Sequence, residues 1–149
     1  MLKAIDFVNL LLASLLAGTM FGAWLMFNPA GVAAERYLAV QQQGIRRLHP
    51  AVPALGALTI AVTLLAALLG RDDRTRATLL VLAALCFVTA GVVTRFKNMP
   101  INAVVIQWTA DSMPTNWTDL RDSWWFWHCV RLIAGLAGLV LVTVVRLLD

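Results

Sequence analysis

The stretch from Trp117 to Arg131 reads W-T-D-L-R-D-S-W-W-F-W-H-C-V-R and carries a polar stripe. At about 3.6 residues per helical turn, one helix face collects Trp117, Arg121, Trp124, His128, Arg131 and Gly135. His128 and Arg131 are followed by the uncharged run 132–145, so the pair is expected within a membrane helix. Ionisable groups are costly there and usually face a bundle interior or a wet cavity. The stripe therefore predicts a functional site.

Arg131 is the residue of this stripe that most needs a partner. From a helix start expected near Ser123 it lies eight residues along, which is about 12 Å at about 1.5 Å per residue. That is close to mid-depth in a hydrocarbon core about 30 Å thick. Asp119 and Asp122 are too near the surface to reach it easily, and Asp6 is expected at the opposite membrane face. Because a buried guanidinium needs a carboxylate, dipoles, water or an anionic ligand, we predict that Arg131 contacts a ligand or substrate.

The elements that position these residues follow from the composition. The chain has 149 residues, of which 60% are hydrophobic and 13% charged, and its mean hydropathy is +0.78. Four runs contain no Asp, Glu, Lys or Arg, namely 7–27, 51–70, 77–94 and 132–145. Each run approaches the roughly 20 residues that cross a bilayer as a helix, the last one when it is extended back through Trp124 with His128 and Arg131 included. We predict an all-α integral membrane four-helix bundle, one domain over 1–149, with spans at about 5–27, 51–70, 77–95 and 123–147.

The connections between the spans range from the short turn at 71–76 to longer segments before the second and fourth spans. Asn28-Pro29 is expected to end the first span, and an interfacial helix is predicted over about 32–43. The turn R-D-D-R-T-R at 71–76 is interpreted as a solvated hairpin without chemistry of its own. Asn98 and Pro100 in N-M-P-I-N are typical of a helix start. They predict a short interfacial helical segment between the third and fourth helices.

The net charge of +4 and the pI of about 9.8 reflect basic residues that flank the spans rather than a basic tract. This favours the lipid bilayer as the partner and argues against nucleic acid. We expect a multi-pass protein of a bacterial inner membrane. Both termini are expected in the cytoplasm, because the shortest loop holds three arginines and Lys3 precedes the first span. No His, Cys, Asp and Glu cluster has metal-ligand spacing, so no metal site is predicted.

Alternation of the spans brings the first long connection, the N-M-P-I-N segment and the start of helix four to one membrane surface. The residues expected to line a site there are Asn98, Asn102, Trp108, Trp117, Arg121, Trp124, His128 and Arg131. Structural alternatives stay open for some of this stretch. Trp125 and Trp127 suit an aromatic belt, Arg121 suits a side chain that reaches to headgroups, and His128 suits a neutral histidine hydrogen-bonded between helices.

Three segments carry a resemblance to a known family. N98-M-P-I-N102, W117-T-D-L-R121-D-S-W124 and H128-C-V-R131 resemble the anthrone oxygenase-like membrane proteins, many of which are catalogued only as a domain of unknown function. The resemblance covers the four-span plan and is specific mainly over 98–131. It implies oxygenation of a lipophilic polyphenolic anthrone to an anthraquinone by O2, without a known metal or flavin.

A mechanism for such an enzyme follows as a hypothesis. An anthrone is a carbon acid whose anion reacts with O2, so a protein need only remove a proton and stabilise charge on oxygen. His128 suits the proton acceptor, because imidazole titrates near neutral pH. Arg131, with Asn98 and Asn102 as donors, suits the oxyanion, while Trp124 and Trp108 suit stacking on a flat ring. No cofactor is predicted.

Two other function classes remain open. A haem b or quinone-binding redox protein would build its cofactor site between facing helices, and His49 and His128 share a membrane end. The third class is a non-enzymatic membrane subunit or small-molecule binder, since fold and function separate easily. Gly18 and Gly22 have a spacing that permits close helix approach. We interpret it mainly as contact within the bundle, and otherwise as contact in a homo-oligomer.

Overall fold

The computed structural model describes residues 2–26 and 31–148, and within these ranges every regular element is a helix. Four helices are long and apolar enough to cross a membrane: Leu2–Met26, Ala51–Leu69, Arg74–Val105 and Trp117–Leu148. The chain is therefore an all-α protein whose four apolar helices indicate an integral membrane protein. This confirms the predicted fold class. The expected end of the first span at Asn28-Pro29 lies outside the described residues.

Six α-helices and one π-helical segment follow one another along the described chain. They are α1 (Leu2–Met26), α2 (Ala34–Leu48), α3 (Ala51–Leu69), α4 (Arg74–Val93), the π segment (Thr94–Asn98), α5 (Met99–Val105) and α6 (Trp117–Leu148). Helix α2 extends the interfacial helix expected over 32–43 and buries Tyr37, Leu38 and Gln41. His49 and Pro50 form a tight elbow that separates α2 from α3.

The third span does not end near Arg95, as the sequence suggested. It continues through the π segment into α5, so the predicted interfacial segment is the end of this span rather than a separate helix. At the junction the Met99 N–H bonds to the Thr94 carbonyl, five residues back. A wide turn directly before Pro100 accommodates a ring that would clash with the carbonyl four residues earlier in an α-helix.

The fourth span also begins earlier than expected, at Trp117 instead of about 123. Its first turn is joined to the preceding loop, where the Trp117 N–H donates to the Pro114 carbonyl at 3.1 Å. The indole of Trp117 stacks on Tyr37 of α2, with ring centroids 5.1 Å apart. These contacts extend α6 by more than one turn beyond the apolar run, which is why hydropathy alone placed its start too late.

Helix α6 packs closely against α1 and α4 because two of its glycines leave room for large side chains. A Cβ at Gly138 would lie 2.6 Å from the Phe87 ring, and one at Gly135 would overlap the end of Met20. Gly18 and Gly22 have no atom within 4 Å of such a Cβ in the described residues. The interpretation that this pair makes contact within the bundle is therefore wrong.

A buried ion cluster joins three helices at the end of the bundle where α1 begins. Asp6 is 3% exposed; one of its carboxylate oxygens accepts from Arg76 and the other accepts from Arg146 at 3.2 Å. Arg76 is itself only 6% exposed. The interpretation of 71–76 as a solvated hairpin is wrong at this residue, because the guanidinium folds inward onto a carboxylate of α1.

Candidate functional site

His128 lies at the centre of the contact between α6 and α1 and is completely buried. Its Nε2 lies 3.1 Å from the Met20 carbonyl oxygen, and its Nδ1 lies 3.0 Å from Nε and 2.8 Å from Nη2 of Arg131. The tautomer with its proton on Nε2 satisfies all three contacts, because it donates to the carbonyl and accepts from the guanidinium. The imidazole is thus hydrogen-bonded between two helices, as one of the two interpretations of the sequence expected.

The Arg131 guanidinium is hydrogen-bonded to two side chains, and the rest of it faces the cavities described below. Besides the contacts with His128, its Nη1 donates to Thr94 Oγ1 at 3.2 Å, and its Cζ lies 5.6 Å from the centre of the Trp124 ring. No carboxylate of the described residues lies within 4 Å of it. A guanidinium has five N–H donors in a fixed fork, so donors remain for a further acceptor.

Trp124 links this pair to the π segment and α5. Its ring stacks on His128, with centroids 5.0 Å apart and planes 4° apart, and its Nε1–H donates to Asn102 Oδ1 at 2.8 Å. The same Asn102 oxygen lies 3.4 Å from Gln41 Nε2 of α2. A chain of polar contacts therefore runs from α6 through α5 to α2.

Asn98 contacts the backbone of α6 beside the site. It is completely buried, and its Nδ2 donates to the Trp124 backbone carbonyl at 2.9 Å. Its Oδ1 is buried without a hydrogen-bond partner in the described part of the chain. Asn98 lines none of the cavities described below, so its contact with the α6 backbone is what it contributes to the arrangement.

Three adjoining cavities open beside these residues. The central cavity measures about 70 Å³ and is bounded by Met20, Gln41, His49, Thr94, Asn102, Trp124 and Arg131, among others. The inner cavity, of about 220 Å³, extends from Arg131 between α3 and α4 along mostly apolar side chains. The outer cavity, of about 360 Å³, extends from His49 and Asn102 along α5. Met99 lines all three.

The cavities are apolar with a few convergent polar groups, which is typical of small-molecule sites. Arg131 lines the central and inner cavities, and Arg95 lines the inner and outer ones. No carboxylate of the described residues lines any of the three. The electrostatics therefore favour a ligand that is anionic or becomes anionic during a reaction.

Five of the eight residues expected at the site come together here. Trp124, Asn102 and Arg131 line the cavities. His128 and Asn98 do not line them, but His128 accepts from Arg131 and Asn98 donates to the Trp124 backbone carbonyl. The other three are Trp108, Trp117 and Arg121, and none of them lines a cavity.

Those three residues instead make contacts within the protein at the end of the bundle where α6 begins. Trp108 packs on the cluster around Leu38 and Trp124, and its carbonyl accepts from Gln42. Arg121 pairs with Asp122 at 2.7 Å and lies over the Trp117 ring at 4.9 Å. Their predicted role in substrate binding stays a prediction, and the contacts described here are with protein.

Several residues that line the central cavity were absent from the predicted set, among them Gln41, His49, Thr94 and Met99. Gln41 and His49 come from α2 and the elbow, and their position against α5 depends on how α2 packs. Thr94 and Met99 flank the π segment, which hydropathy does not reveal. The three successive glutamines from Gln41 to Gln43 were the available signal, because an amide run beside a membrane span suggests polar contacts.

No group of three or more His, Cys, Asp or Glu side chains that could hold a metal ion occurs within 2–26 and 31–148. The central cavity is lined by one guanidinium, one imidazole, two carboxamides, hydroxyl groups and an indole. These groups can bind a flat, partly polar molecule and stabilise negative charge on one of its oxygens.

Comparison with protein families gives a match over the region that holds the site. A family model described as anthrone oxygenase matches residues 42–141, which is more than half of the chain. The matched region contains all eight residues predicted for the site, together with the His49–Pro50 elbow. No curated protein and no solved structure matches the chain.

Proposed function

The chain belongs to the anthrone oxygenase family, and from this premise we propose that it oxidises a lipophilic aromatic or polyphenolic carbon acid with O2 in the membrane. The substrate class is that of a hydroxylated anthrone, which becomes the corresponding quinone. The overall change is one substrate plus one O2 giving one quinone plus one water, so that O2 is the oxidant and one oxygen atom is retained.

The chemistry requires little from the protein. A C–H bond of the substrate loses its proton, and the electron pair delocalises onto the carbonyl oxygen. The anion then adds O2 at carbon and takes up a proton to give a hydroperoxide. Loss of the second C–H proton with heterolysis of the O–O bond forms the new carbonyl and releases hydroxide, which becomes water. Stabilising the first anion is therefore the step to which the site can contribute most.

The observation that carries the proposal is the position of Arg131. Its guanidinium lines both the central and the inner cavity, and no carboxylate of the described residues neutralises it. Two of its sides are already fixed by His128 and Thr94. Preorganised donors of this kind stabilise developing oxyanions without reorganising during the reaction. Asn102 and Gln41 are proposed to orient the substrate, and Trp124 to contact its ring.

The test compares purified wild-type protein with Arg131→Gln and Arg131→Lys in detergent. A hydroxylated anthrone is supplied, and quinone absorbance and O2 consumption are followed against protein-free buffer, because anthrones oxidise spontaneously. We expect Arg131→Gln to lose about 10²- to 10³-fold in kcat. Arg131→Lys should recover only part of this, because lysine cannot donate as a planar fork. Arg47→Gln, on the exposed side of α2, is the matched control and should retain full turnover.

The same preparation separates the other function classes. No cofactor is proposed, and a Soret band in the purified protein would favour the haem alternative instead. A lipophilic aromatic molecule that binds tightly but is not turned over would favour a non-enzymatic binder. Mass spectrometry of extracts from the purified protein identifies such a molecule, and size-exclusion chromatography with light scattering tests the expected homo-oligomer.

We also propose that the protein lies in a bacterial inner membrane with both termini in the cytoplasm. The support is the arginine-rich turn at 71–76 together with Lys3. A reporter that fluoresces only in the cytoplasm, fused after α6, should be bright. The same reporter inserted in the loop before Trp117 should be dark, and the reverse pattern would invert the orientation.

A further inference from the structure

We infer that His49, rather than His128, accepts the substrate proton in this reaction, and this assignment rests on the proposed function. The chain has two histidines, and imidazole is the side chain best suited to proton transfer near neutral pH. The two histidines have opposite surroundings, which is what distinguishes their roles.

His128 has no nitrogen available to a substrate. Its Nδ1 accepts from Arg131 and its Nε2 faces the Met20 carbonyl oxygen. It is completely buried and lines none of the three cavities. A proton could reach Nδ1 only if the Arg131 guanidinium moved away, and the product would be an imidazolium directly beside a guanidinium. These contacts suit a positioning residue for Arg131.

His49 differs from His128 in its contacts. No side-chain hydrogen bond to it occurs within the described residues, and it lines both the central and the outer cavity. Its backbone is fixed, because its N–H donates to the Ile45 carbonyl at 3.0 Å and Pro50 follows in the elbow. A general base requires a side chain that is held in place at the cavity wall and whose acceptor atom is not used by another group of the protein.

The charges that face His49 come from several elements. Arg131 of α6 shares the central cavity with it, and Arg95 of the π segment shares the outer cavity. On its own helix, Arg46 and Arg47 are exposed and line neither cavity. No carboxylate of the described chain lines either cavity, so His49 supplies the one imidazole among the described side chains that line them.

The geometry also provides for release of the proton. In the proposed step the substrate C–H bond breaks, its proton passes to a His49 ring nitrogen, and the electron pair remains on the substrate as an enolate beside Arg131. The imidazolium returns its proton to the peroxide anion that forms with O2. Because His49 is exposed at the elbow, it can also exchange protons with water between turnovers, which a completely buried imidazole cannot do readily.

The experiment compares His49→Ala and His49→Gln with wild-type protein and with Arg47→Gln as the neighbouring control. Turnover of a hydroxylated anthrone is measured as a function of pH, with the protein-free rate subtracted at each pH. We expect both His49 variants to lose about 10²-fold or more in kcat. The acidic limb of the wild-type profile should disappear in His49→Ala, and added imidazole should restore part of its rate.

The outcomes separate cleanly. Full turnover in the His49 variants, or a loss that imidazole does not restore, would overturn the assignment of His49 and leave the proposed function standing. No protein-dependent turnover in the wild type would remove the proposed function and this inference together. A variant that retains tight binding of the anthrone, measured by tryptophan quenching, shows that the loss of rate does not come from misfolding.

Discussion

Arg131 directs two of its N–H groups, from Nε and Nη2, at the same ring nitrogen of His128, over 3.0 and 2.8 Å. The two residues lie one helical turn apart on α6, so their spacing in the sequence already permits the contact. The Met20 carbonyl on α1 fixes the opposite side of the imidazole. The orientation of the cavity's central cation therefore depends on a contact between two helices.

This relationship predicts different outcomes for two substitutions of His128. An asparagine places its Oδ1 where the imidazole has Nδ1, so His128→Asn should retain the acceptor for Arg131. We expect its turnover to stay within about 10-fold of wild type, because one hydrogen bond to the Met20 carbonyl is lost. His128→Ala leaves the guanidinium without this acceptor and should lose about 100-fold or more, which the anthrone assay measures.

The shape of the pH profile provides the control for that comparison. If His128 only positions Arg131, His128→Asn keeps the acidic limb of the wild-type profile. A profile that flattens in His128→Asn but not in His49→Ala would instead return the role of base to His128.

Met99 gives a prediction about substrate size, because it lines all three cavities. Met99→Trp should fill the space where the cavities meet and raise KM for a tricyclic anthrone by about 10-fold or more, with a smaller effect on a monocyclic analogue. Val104→Trp is the matched control, because Val104 lies on the same helix, α5, and is exposed. Equal effects of the two variants would contradict a binding site at Met99.

The spans could be predicted because charge-free runs reflect a direct physical requirement of the bilayer. Their ends could not, because ends depend on local contacts. The third span was expected to stop before Pro100, and it continues because the π segment accommodates that ring. Arg76 was assigned to solvent, since its partner Asp6 lies seventy positions away in the chain.

The candidate site shows the same division. His128 and Arg131 were accessible to prediction because both lie on one helix and their spacing is visible. His49 and Gln41 were not assigned to the site, because their contribution requires α2 to pack on α5 and the elbow to face α6. Tertiary packing decides which separate elements come together, and the periodicity of the sequence does not indicate it.

Asp6 yields a prediction about stability. Its carboxylate lies between Arg76 and Arg146 with a side chain only 4% exposed. Asp6→Asn removes the charge that balances two guanidinium groups and should destabilise the protein by about 3–5 kcal/mol. Asp122→Asn is the control, because the Asp122 side chain, which pairs with Arg121, is 62% exposed. Exposed ion pairs contribute only about 0–1 kcal/mol to the free energy of unfolding. Denaturant titration in detergent, followed by circular dichroism, compares the two.

Tyr37 provides a prediction about pH. It is 7% exposed, and its hydroxyl has no hydrogen-bond partner in the described part of the chain. Burial raises the pKa of Tyr37 to about 12, with Arg121 opposing the shift and Asp122 adding to it. In the unfolded chain the pKa returns to about 10. Between these values the unfolded chain has lost its proton and the folded one retains it, so the stability falls as the pH rises through this window.

Tyr37→Phe should abolish the part of the stability loss at high pH that comes from the raised pKa of Tyr37. Near neutral pH the variant should be as stable as wild type, or more stable by about 1 kcal/mol, because a buried hydroxyl without a partner is removed. Above about pH 10 the advantage of the variant should grow. Thermal unfolding of both proteins at about pH 8 and about pH 11 measures the difference. Since the chain has a single tyrosine, tyrosinate absorbance follows its titration directly, and ionisation near its ordinary pKa in the folded protein would contradict the burial of this side chain under α6.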